Sequence, residues 1–202
     1  MYHYAGNNPI RYLDPDGLTD ASLNGIQAHI AIEAYLCLTY PGSEAEAEVK
    51  NGGIIPGTNG RADYINHLSH EIYEIKPITQ AYSPDGKIQL QNYVTNYKNN
   101  GQRYNKGTAF LSQINGTIIT GVPDGLGGKM NLRLITFPNN PEQAGMIYYE
   151  KCNDSKVKYR VGQESKVIDL EAIRAGLAAS AAEFETICCC LAAAALFLCG
   201  AY

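Results

Sequence analysis

Apolar and polar positions repeat with a helical period in two segments of the chain. Between residues 23 and 40 apolar residues recur every three to four positions, which predicts an amphipathic helix that ends before Pro41-Gly42. A second helix is predicted over 87–97 and ends at Asn-Asn-Gly. The first apolar stripe is expected to contain Leu23, Ile26, Ile30, Ile32, Tyr35, Leu36 and Cys37, and Glu33 has the same spacing. The second stripe is expected to contain Ile88, Leu90, Tyr93, Val94 and Tyr97.

Strand patterns occupy the segments between and after the helices. Residues 47–60 predict a short strand and a glycine-rich loop, and residues 61–77 predict a β-hairpin with a polar turn at 66–70. Further strands are predicted within 108–121, 130–137 and 145–152. The alternation of helices and strands predicts an α/β or α+β fold, a mixed sheet flanked by helices.

The C-terminal segment, residues 166–202, is rich in alanine and cysteine and has helical propensity. Its longest apolar run, residues 187–199, is thirteen residues, whereas a bilayer-spanning helix needs about twenty. We therefore expect a helix that is buried or covered by a partner. A membrane segment and a poorly packed end that promotes aggregation are the alternatives.

Length and charge bound the possible functions. The 202 residues suit one domain with short attachments, and a net charge of -4 gives no global basic field. The charge is uneven, because residues 20–49 carry five acids and no Lys or Arg, while residues 86–133 carry six bases against Asp124 alone. This asymmetry is compatible with a polyanion held against an acidic metal site, or with ordinary solvated faces.

The six cysteines and the N-terminus do not have the patterns of a zinc site, a disulfide framework or a signal peptide. No C-x-x-C spacing with nearby histidines suggests zinc, and the cysteine spacing does not predict a disulfide framework, so reduced thiols are expected. The first twelve residues lack the apolar region of a signal peptide.

The predicted hairpin carries three ionisable residues. Strand alternation puts Glu74 and Lys76 on one face, and the hairpin brings Asp63 alongside them. Two converging carboxylates repel each other unless a cation neutralises them, and Mg²⁺ or Mn²⁺ prefers such oxygen ligands. A lysine beside the ion can orient or deprotonate an attacking water. The group predicts phosphodiester hydrolysis, and its alternative is a surface hairpin with a weak charge pair.

The spacing of Asp63, ten residues, then Glu74-x-Lys76 resembles the PD-(D/E)XK nuclease superfamily, which has the restriction-endonuclease-like fold. Gly60 stands where that family has the glycine of G-x-x-D, although Ala62 replaces its proline. The resemblance implies a catalytic set and a Mg²⁺ ligand set, with Mn²⁺ as an alternative ion. The implied catalytic residues are Asp63, Glu74, Lys76, Glu33 on the first helix, and the Q-x-x-x-Y pair Gln89 and Tyr93. The implied metal ligands are Asp63, Glu74, Glu33 and the carbonyl of Ile75. His29 precedes Glu33 by one helical turn and shares its face.

The N-terminal residues 2–18, YHYAGNNPIRYLDPDGL, closely resemble the end of the repeat-associated core of RHS/YD-repeat proteins. In that family the core forms a β-shell around a variable C-terminal toxin, and this motif marks their junction. The resemblance implies an aspartate-dependent cleavage between Leu18 and Thr19, with Asp14 and Asp16 as candidate residues. It divides the chain into the core end at 1–18, a nuclease toxin domain at 19–165 and the helical tail at 166–202.

Together the two resemblances imply a metal-dependent DNase released from an RHS-type polymorphic toxin used in competition between bacteria. The implied partners are DNA, a cognate immunity protein and the RHS shell, with no membrane. The implied location is the cytoplasm of a target cell, reached without a signal peptide of its own. An RNA-cleaving toxin of the same fold and a non-enzymatic binding or membrane-active domain are the alternatives.

Overall fold

The computed structural model of the protein describes residues 20–99, 101–152, 166–176 and 178. The RHS-like segment 2–18, the expected cleavage point and most of the 166–202 tail lie outside the described residues. The helices are α1 (Asp20–Thr39), α2 (Asp85–Asn96) and the short α3 (Leu111–Ile114), and residues 170–176 are also helical. The strands are β1 (Ser43–Val49), β2 (Gly60–Asn66), β3 (Glu71–Pro77), β4 (Lys98–Asn99), β5 (Gln102–Arg103), β6 (Asn105–Lys106), β7 (Ile118–Pro123), β8 (Lys129–Ile135), β9 (Met146–Cys152) and β10 (Val167–Asp169).

A mixed sheet forms the centre of the molecule. Its strand order is β1-β2-β3-β9-β8-β7-β10, and β6 adds alongside β3. The strands β1, β2 and β3 form an antiparallel meander, β3 pairs in parallel with β9, and β10 pairs in parallel with β7. The separate pair β4 and β5 forms a small hairpin.

Helices cover both faces of this sheet and create two cores. On one face α1 and α3 pack on a cluster that includes Tyr64, Tyr73 and Ile75. On the other face α2 contributes Leu90 and Tyr93 to a second cluster. The expected fold class, a mixed sheet flanked by helices, is therefore confirmed.

The hairpin is confirmed, since β2 and β3 pair antiparallel about a turn at residues 67–70. The apolar stripe predicted for α1 is only partly correct. Ile30 is 48% exposed and Ile26 is also exposed, whereas Glu33 is buried. The helix is rotated so that Glu33, which has the spacing of the predicted stripe, faces the sheet, while Ile26 and Ile30 of the same stripe face solvent. The buried apolar face consists of Ala28, Ala31, Ile32, Tyr35 and Leu36.

The strand predicted within 108–121 is also only partly correct. Residues 111–114 form α3, and only residues 118–121 of that range belong to a strand, β7. Leu111 and Ile114, three positions apart, are buried in the α1-side core, and the hydroxyl of Thr136 donates to the Leu111 carbonyl at 2.6 Å. Tertiary packing thus selects a helical turn in a short apolar run whose period is ambiguous. None of the helices in the described segments of the chain is long and apolar enough to cross a membrane.

Candidate active site

The candidate site lies where β2 and β3 stop pairing. Their ladder ends at the pair Tyr64 and Tyr73. One residue beyond that pair, Asp63 Oδ2 accepts a 2.6 Å hydrogen bond from the backbone N–H of Ile75. The Asp63 side chain therefore takes the place of a β2 backbone carbonyl as the acceptor for the Ile75 N–H. The carboxylate lies in the opening between the two strands.

Two residues of α1 reach this opening from one face of the sheet. His29 and Glu33 are one helical turn apart, with Nδ1 and Oε1 separated by 4.0 Å. His29 Nδ1 is also 3.7 Å from Asp63 Oδ1, and the ring of Tyr149 packs edge-on to the imidazole at a centroid distance of 6.0 Å. One ligand atom from each of His29, Glu33 and Asp63 lies within 4.8 Å of the others, a spacing that could hold a metal ion.

Glu74 and Lys76 complete the group from β3. Glu74 is 0% exposed, and Lys76 Nζ lies 2.6 Å from Glu74 Oε1. Burial raises the pKa of Glu74 well above its ordinary value, the charge of Asp63 raises it further, and Lys76 opposes both effects. The three residues expected from the hairpin are thus close together, with one positive charge beside two carboxylates.

The site holds more carboxylates than positively charged side chains, and two of these carboxylates, Glu33 and Glu74, are buried. Burial, followed by the charges of Asp63 and Glu46, raises the pKa of Glu33 to about 8. Glu33 Oε1 and Glu74 Oε2 are buried without a hydrogen-bond partner among the described residues. Buried carboxylate oxygens normally have partners, so these two suit a bound cation. Carboxylate oxygens beside one imidazole fit Mg²⁺ or Mn²⁺.

Gln89 and Tyr93 border the site from α2. They are one turn apart, and Gln89 Nε2 donates to the Tyr93 hydroxyl at 2.5 Å. Burial raises the pKa of Tyr93, and the nearby Glu74 and Asp63 carboxylates contribute to the increase. The phenol is therefore protonated at neutral pH and faces the acid group.

The Ile75 carbonyl, expected as a further ligand, leaves β3 on the same edge as the Ile75 amide that binds Asp63, because the N–H and C=O of a strand residue point to the same side. Its direction agrees with the expectation, and its role as a ligand stays a prediction.

Glu46 is an acid of the site that sequence reasoning missed. In the register of β1 with β2 it stands opposite Asp63, between the pairs of Ala45 and Ala47, and its φ of 55° is in the left-handed region. The nearby Glu46 carboxylate raises the pKa of Glu33, after burial and the charge of Asp63. Arg61 Nη1 contacts the Glu46 carboxylate at 3.3 Å. Strained backbone of this kind is typical of functional positions, and the alternating SEAEAEV sequence gives no sign of it.

The six bases expected to grip phosphate are distributed over several elements. Only Lys87 lies on an element that supplies site residues, α2. Lys98 and Arg103 pair across the small hairpin of β4 and β5, Lys106 is in β6, and Lys129 and Arg133 are in β8. Arg133 forms an ion pair with Glu150. Lys106 also neighbours the site strand, because β6 pairs with β3, and the binding of phosphate by these bases stays a prediction.

Comparisons of the chain with protein-family models, with curated proteins and with solved structures found no match.

Proposed function

We propose that the chain is a Mg²⁺-dependent nuclease that hydrolyses phosphodiester bonds in DNA. The observation that carries this proposal is the meeting of Asp63, Glu74 and Lys76 at the opening between β2 and β3. A structural charge pair alone would not need the further acids Glu33 and Glu46 beside it.

The residues that would hold the ion are Asp63, Glu74 and Glu33, with the Ile75 carbonyl as a further ligand. His29 joins them because its Nδ1 is within 4.0 Å of a carboxylate oxygen of both Glu33 and Asp63. When bound, a divalent ion supplies charge neutralisation and Lewis-acid polarisation at the phosphate.

The other residues act on the water and the phosphate. Lys76, held 2.6 Å from Glu74 Oε1, orients the attacking water and offsets negative charge that develops on the phosphate oxygens. Tyr93, whose hydroxyl accepts from Gln89 Nε2, places a protonated phenol near the carboxylates of Glu74 and Asp63. Asp63 is fixed by the Ile75 amide, so its free oxygen points at His29.

A plasmid assay tests the proposal. The full chain should cut supercoiled DNA with MgCl₂ and should not cut it with EDTA, and Lys76→Ala should lower the rate at least about a hundredfold. Lys151→Ala, which changes an exposed lysine on β9, is the matched control and should cut at the wild-type rate. Equal cutting by Lys76→Ala and wild type, or no cutting of any nucleic acid by wild type, would contradict the proposal. Faster cutting of tRNA or rRNA than of DNA would assign the RNA-cleaving alternative.

The biological setting follows from the RHS-like segment at 2–18. We propose that the domain is a toxin delivered from an RHS shell into the cytoplasm of a target cell, and that its producer makes a neutralising immunity protein. Toxicity that persists in the triple variant Asp63→Ala, Glu74→Ala, Lys76→Ala would instead favour a non-enzymatic or membrane-active domain.

A further inference from the structure

Arg61 is a cation at the candidate site that the six expected bases do not include. It lies on β2 two residues before Asp63, and side chains two apart on a strand project from the same face. The Arg61 side chain is 70% exposed, and its Nη1 lies 3.3 Å from Glu46 Oε2. Lys76, by contrast, is mostly buried against Glu74. Arg61 therefore presents to solvent a positive charge that Lys76 does not.

The guanidinium of Arg61 leans along the sheet toward the acids of the site. In the ladder of β1 with β2, the residue directly opposite Arg61 is Glu48. Glu48 Oε1 instead accepts a 2.6 Å hydrogen bond from Asn59 Nδ2, and Arg61 contacts Glu46, which stands opposite Asp63. The arginine side chain is thus directed away from its own register position and toward the site.

The acids of the site repel an anionic substrate. The charge of Glu46 contributes to the raised pKa of both Glu33 and Glu74, so these carboxylates act on one another. A phosphodiester that approaches them meets the same negative charge before it reaches a bound ion. An exposed cation at the edge of the group offsets that repulsion.

The chemistry of arginine suits a phosphate. Its planar guanidinium carries several N–H donors in a fixed fork that matches phosphate oxygens. The contact with Glu46 involves one Nη atom at 3.3 Å, so Glu46 can orient the guanidinium while its remaining donors bind a phosphate. Two residues along a strand span about 7 Å. Arg61 and an ion at Asp63 can therefore hold neighbouring phosphates of one nucleic-acid strand.

We infer that Arg61 binds the phosphate next to the scissile one and holds the substrate strand across the bound ion. Glu46 acts through Arg61 as a positioning residue. The inference rests on the proposed nuclease function and deepens it, because it makes the sugar–phosphate backbone the feature of the substrate that this edge of the site recognises. A contact between arginine and phosphate carries no sequence information, so it supports cleavage at any sequence.

The test compares full chains of wild type, Arg61→Ala and Arg61→Lys. The matched control is Arg174→Ala, because Arg174 is also an exposed arginine, with its Nη1 3.4 Å from Glu171 Oε1. KM and kcat are measured for cleavage of a short end-labelled DNA duplex in MgCl₂ at several KCl concentrations. At a mapped cut, each flanking phosphate is then replaced in turn by an uncharged methylphosphonate.

Arg61→Ala should raise KM at least about tenfold, change kcat by less than about threefold, and reduce the slope of log KM against log salt by about one. Arg61→Lys keeps the charge without the fork, so it should recover part of the loss. A methylphosphonate next to the scissile phosphate should slow wild type and should not slow Arg61→Ala further. Arg174→Ala should match wild type in every measurement.

Equal KM values and salt slopes for Arg61→Ala and Arg174→Ala would overturn the inference. Methylphosphonates that slow wild type and Arg61→Ala by the same factor at every position would also overturn it. If Arg61→Ala has an altered circular dichroism spectrum, Arg61→Gln is judged by the same criteria.

A wild-type chain that cuts no DNA would refute the nuclease without deciding the role of Arg61. Fluorescence anisotropy of the same duplexes in CaCl₂ would then supply binding constants, to which the same comparisons of salt slope and methylphosphonate apply. An absence of binding by wild type in that measurement would overturn the inference as well.

Discussion

The Asp63 carboxylate accepts a 2.6 Å hydrogen bond from the backbone N–H of Ile75, and this bond links β2 to the segment of β3 that carries Glu74 and Lys76. One carboxylate oxygen is used to replace a backbone partner, and the other is 3.7 Å from His29 Nδ1. The acid that would hold a cation is therefore fixed by the strand that supplies the neighbouring acid and the lysine.

Asp63→Asn should separate the stability of the ion-free protein from cation binding. The amide keeps an oxygen for the Ile75 N–H but removes a charge that raises the pKa of both Glu33 and Glu74. We expect the melting temperature in EDTA to stay the same or rise, and the further rise produced by MgCl₂ to vanish. Nuclease activity should fall at least about a hundredfold. Calorimetry with and without MgCl₂ measures the first two effects.

The matched control for Asp63→Asn is Glu142→Gln, which removes an exposed acid far along the chain on a 3-10 turn. It should keep the wild-type response to MgCl₂. A full response in Asp63→Asn as well would show that this carboxylate does not hold the ion.

Glu33→Gln should remove a pH dependence of stability. The folded protein holds the pKa of Glu33 at about 8, against an ordinary value of 4.5. Between these values the folded state binds more protons than the unfolded state, so the stability from this group is complete below pH 4.5 and is lost as pH rises to about 8. In EDTA the stability of the variant relative to wild type should therefore rise by about 4 kcal/mol between low pH and pH 8.

Urea unfolding of wild type and Glu33→Gln in EDTA, from about pH 5 to about pH 8.5, measures that difference, and subtraction cancels the groups that the two proteins share. A difference that is constant with pH, or one that favours wild type increasingly at high pH, would show that the pKa of Glu33 is not raised.

Gly86→Ala should impair Lys76 without unfolding the protein. A Cβ at this position in α2 would lie 3.2 Å from Lys76 Cγ and 3.0 Å from Met146 Cε, so it pushes on the stem of the lysine. Alanine favours the helix by about 1 kcal/mol, which offsets the crowding. We expect kcat to fall about tenfold at unchanged melting temperature and unchanged KM for DNA.

Gly176→Ala provides the control for Gly86→Ala, because a Cβ there would also crowd a neighbour, Leu38 Cδ1 at 3.1 Å, in another helical segment. Its kcat should equal that of wild type. Equal rates for both alanine variants and wild type would show that Lys76 keeps its place without the space at Gly86.

Glu71→Gln and Glu74→Gln should change stability in opposite directions. Glu71 is saturated with donors, so an amide nitrogen in its place leaves some of them unpaired, at a cost of about 2–3 kcal/mol. Glu74 has an oxygen without a partner among the described residues, so neutralising it should stabilise the protein in EDTA. The donors to Glu71 are the hydroxyls of Ser69, Tyr73 and Thr108 and the N–H groups of Thr108 and Ala109.

Urea unfolding of both glutamine variants in EDTA tests this difference. Activity per folded molecule should be unchanged in Glu71→Gln and lost in Glu74→Gln. Destabilisation of similar size in both would mean that Glu74 is a structural acid like Glu71.

The sequence alone determined the hairpin and the closeness of its charged residues. Alternation of side chains along a strand and the position of a polar turn are local properties, so they fixed which residues of β3 share a face and which residue of β2 lies beside them. The same local reasoning placed His29 with Glu33, because residues four apart on a helix share a face, whereas Gln89 and Tyr93 came from the family resemblance.

Only the tertiary structure decided how α1 is rotated, that residues 111–114 form a helix, and that Glu46 and His29 join the acids of β2 and β3. These outcomes depend on which surfaces the sheet leaves to be covered. An acid such as Glu46, in an alternating strand with left-handed backbone at one position, has the sequence pattern of a solvated residue. Its place at the site follows from pairing between β1 and β2, a long-range contact that no local period encodes.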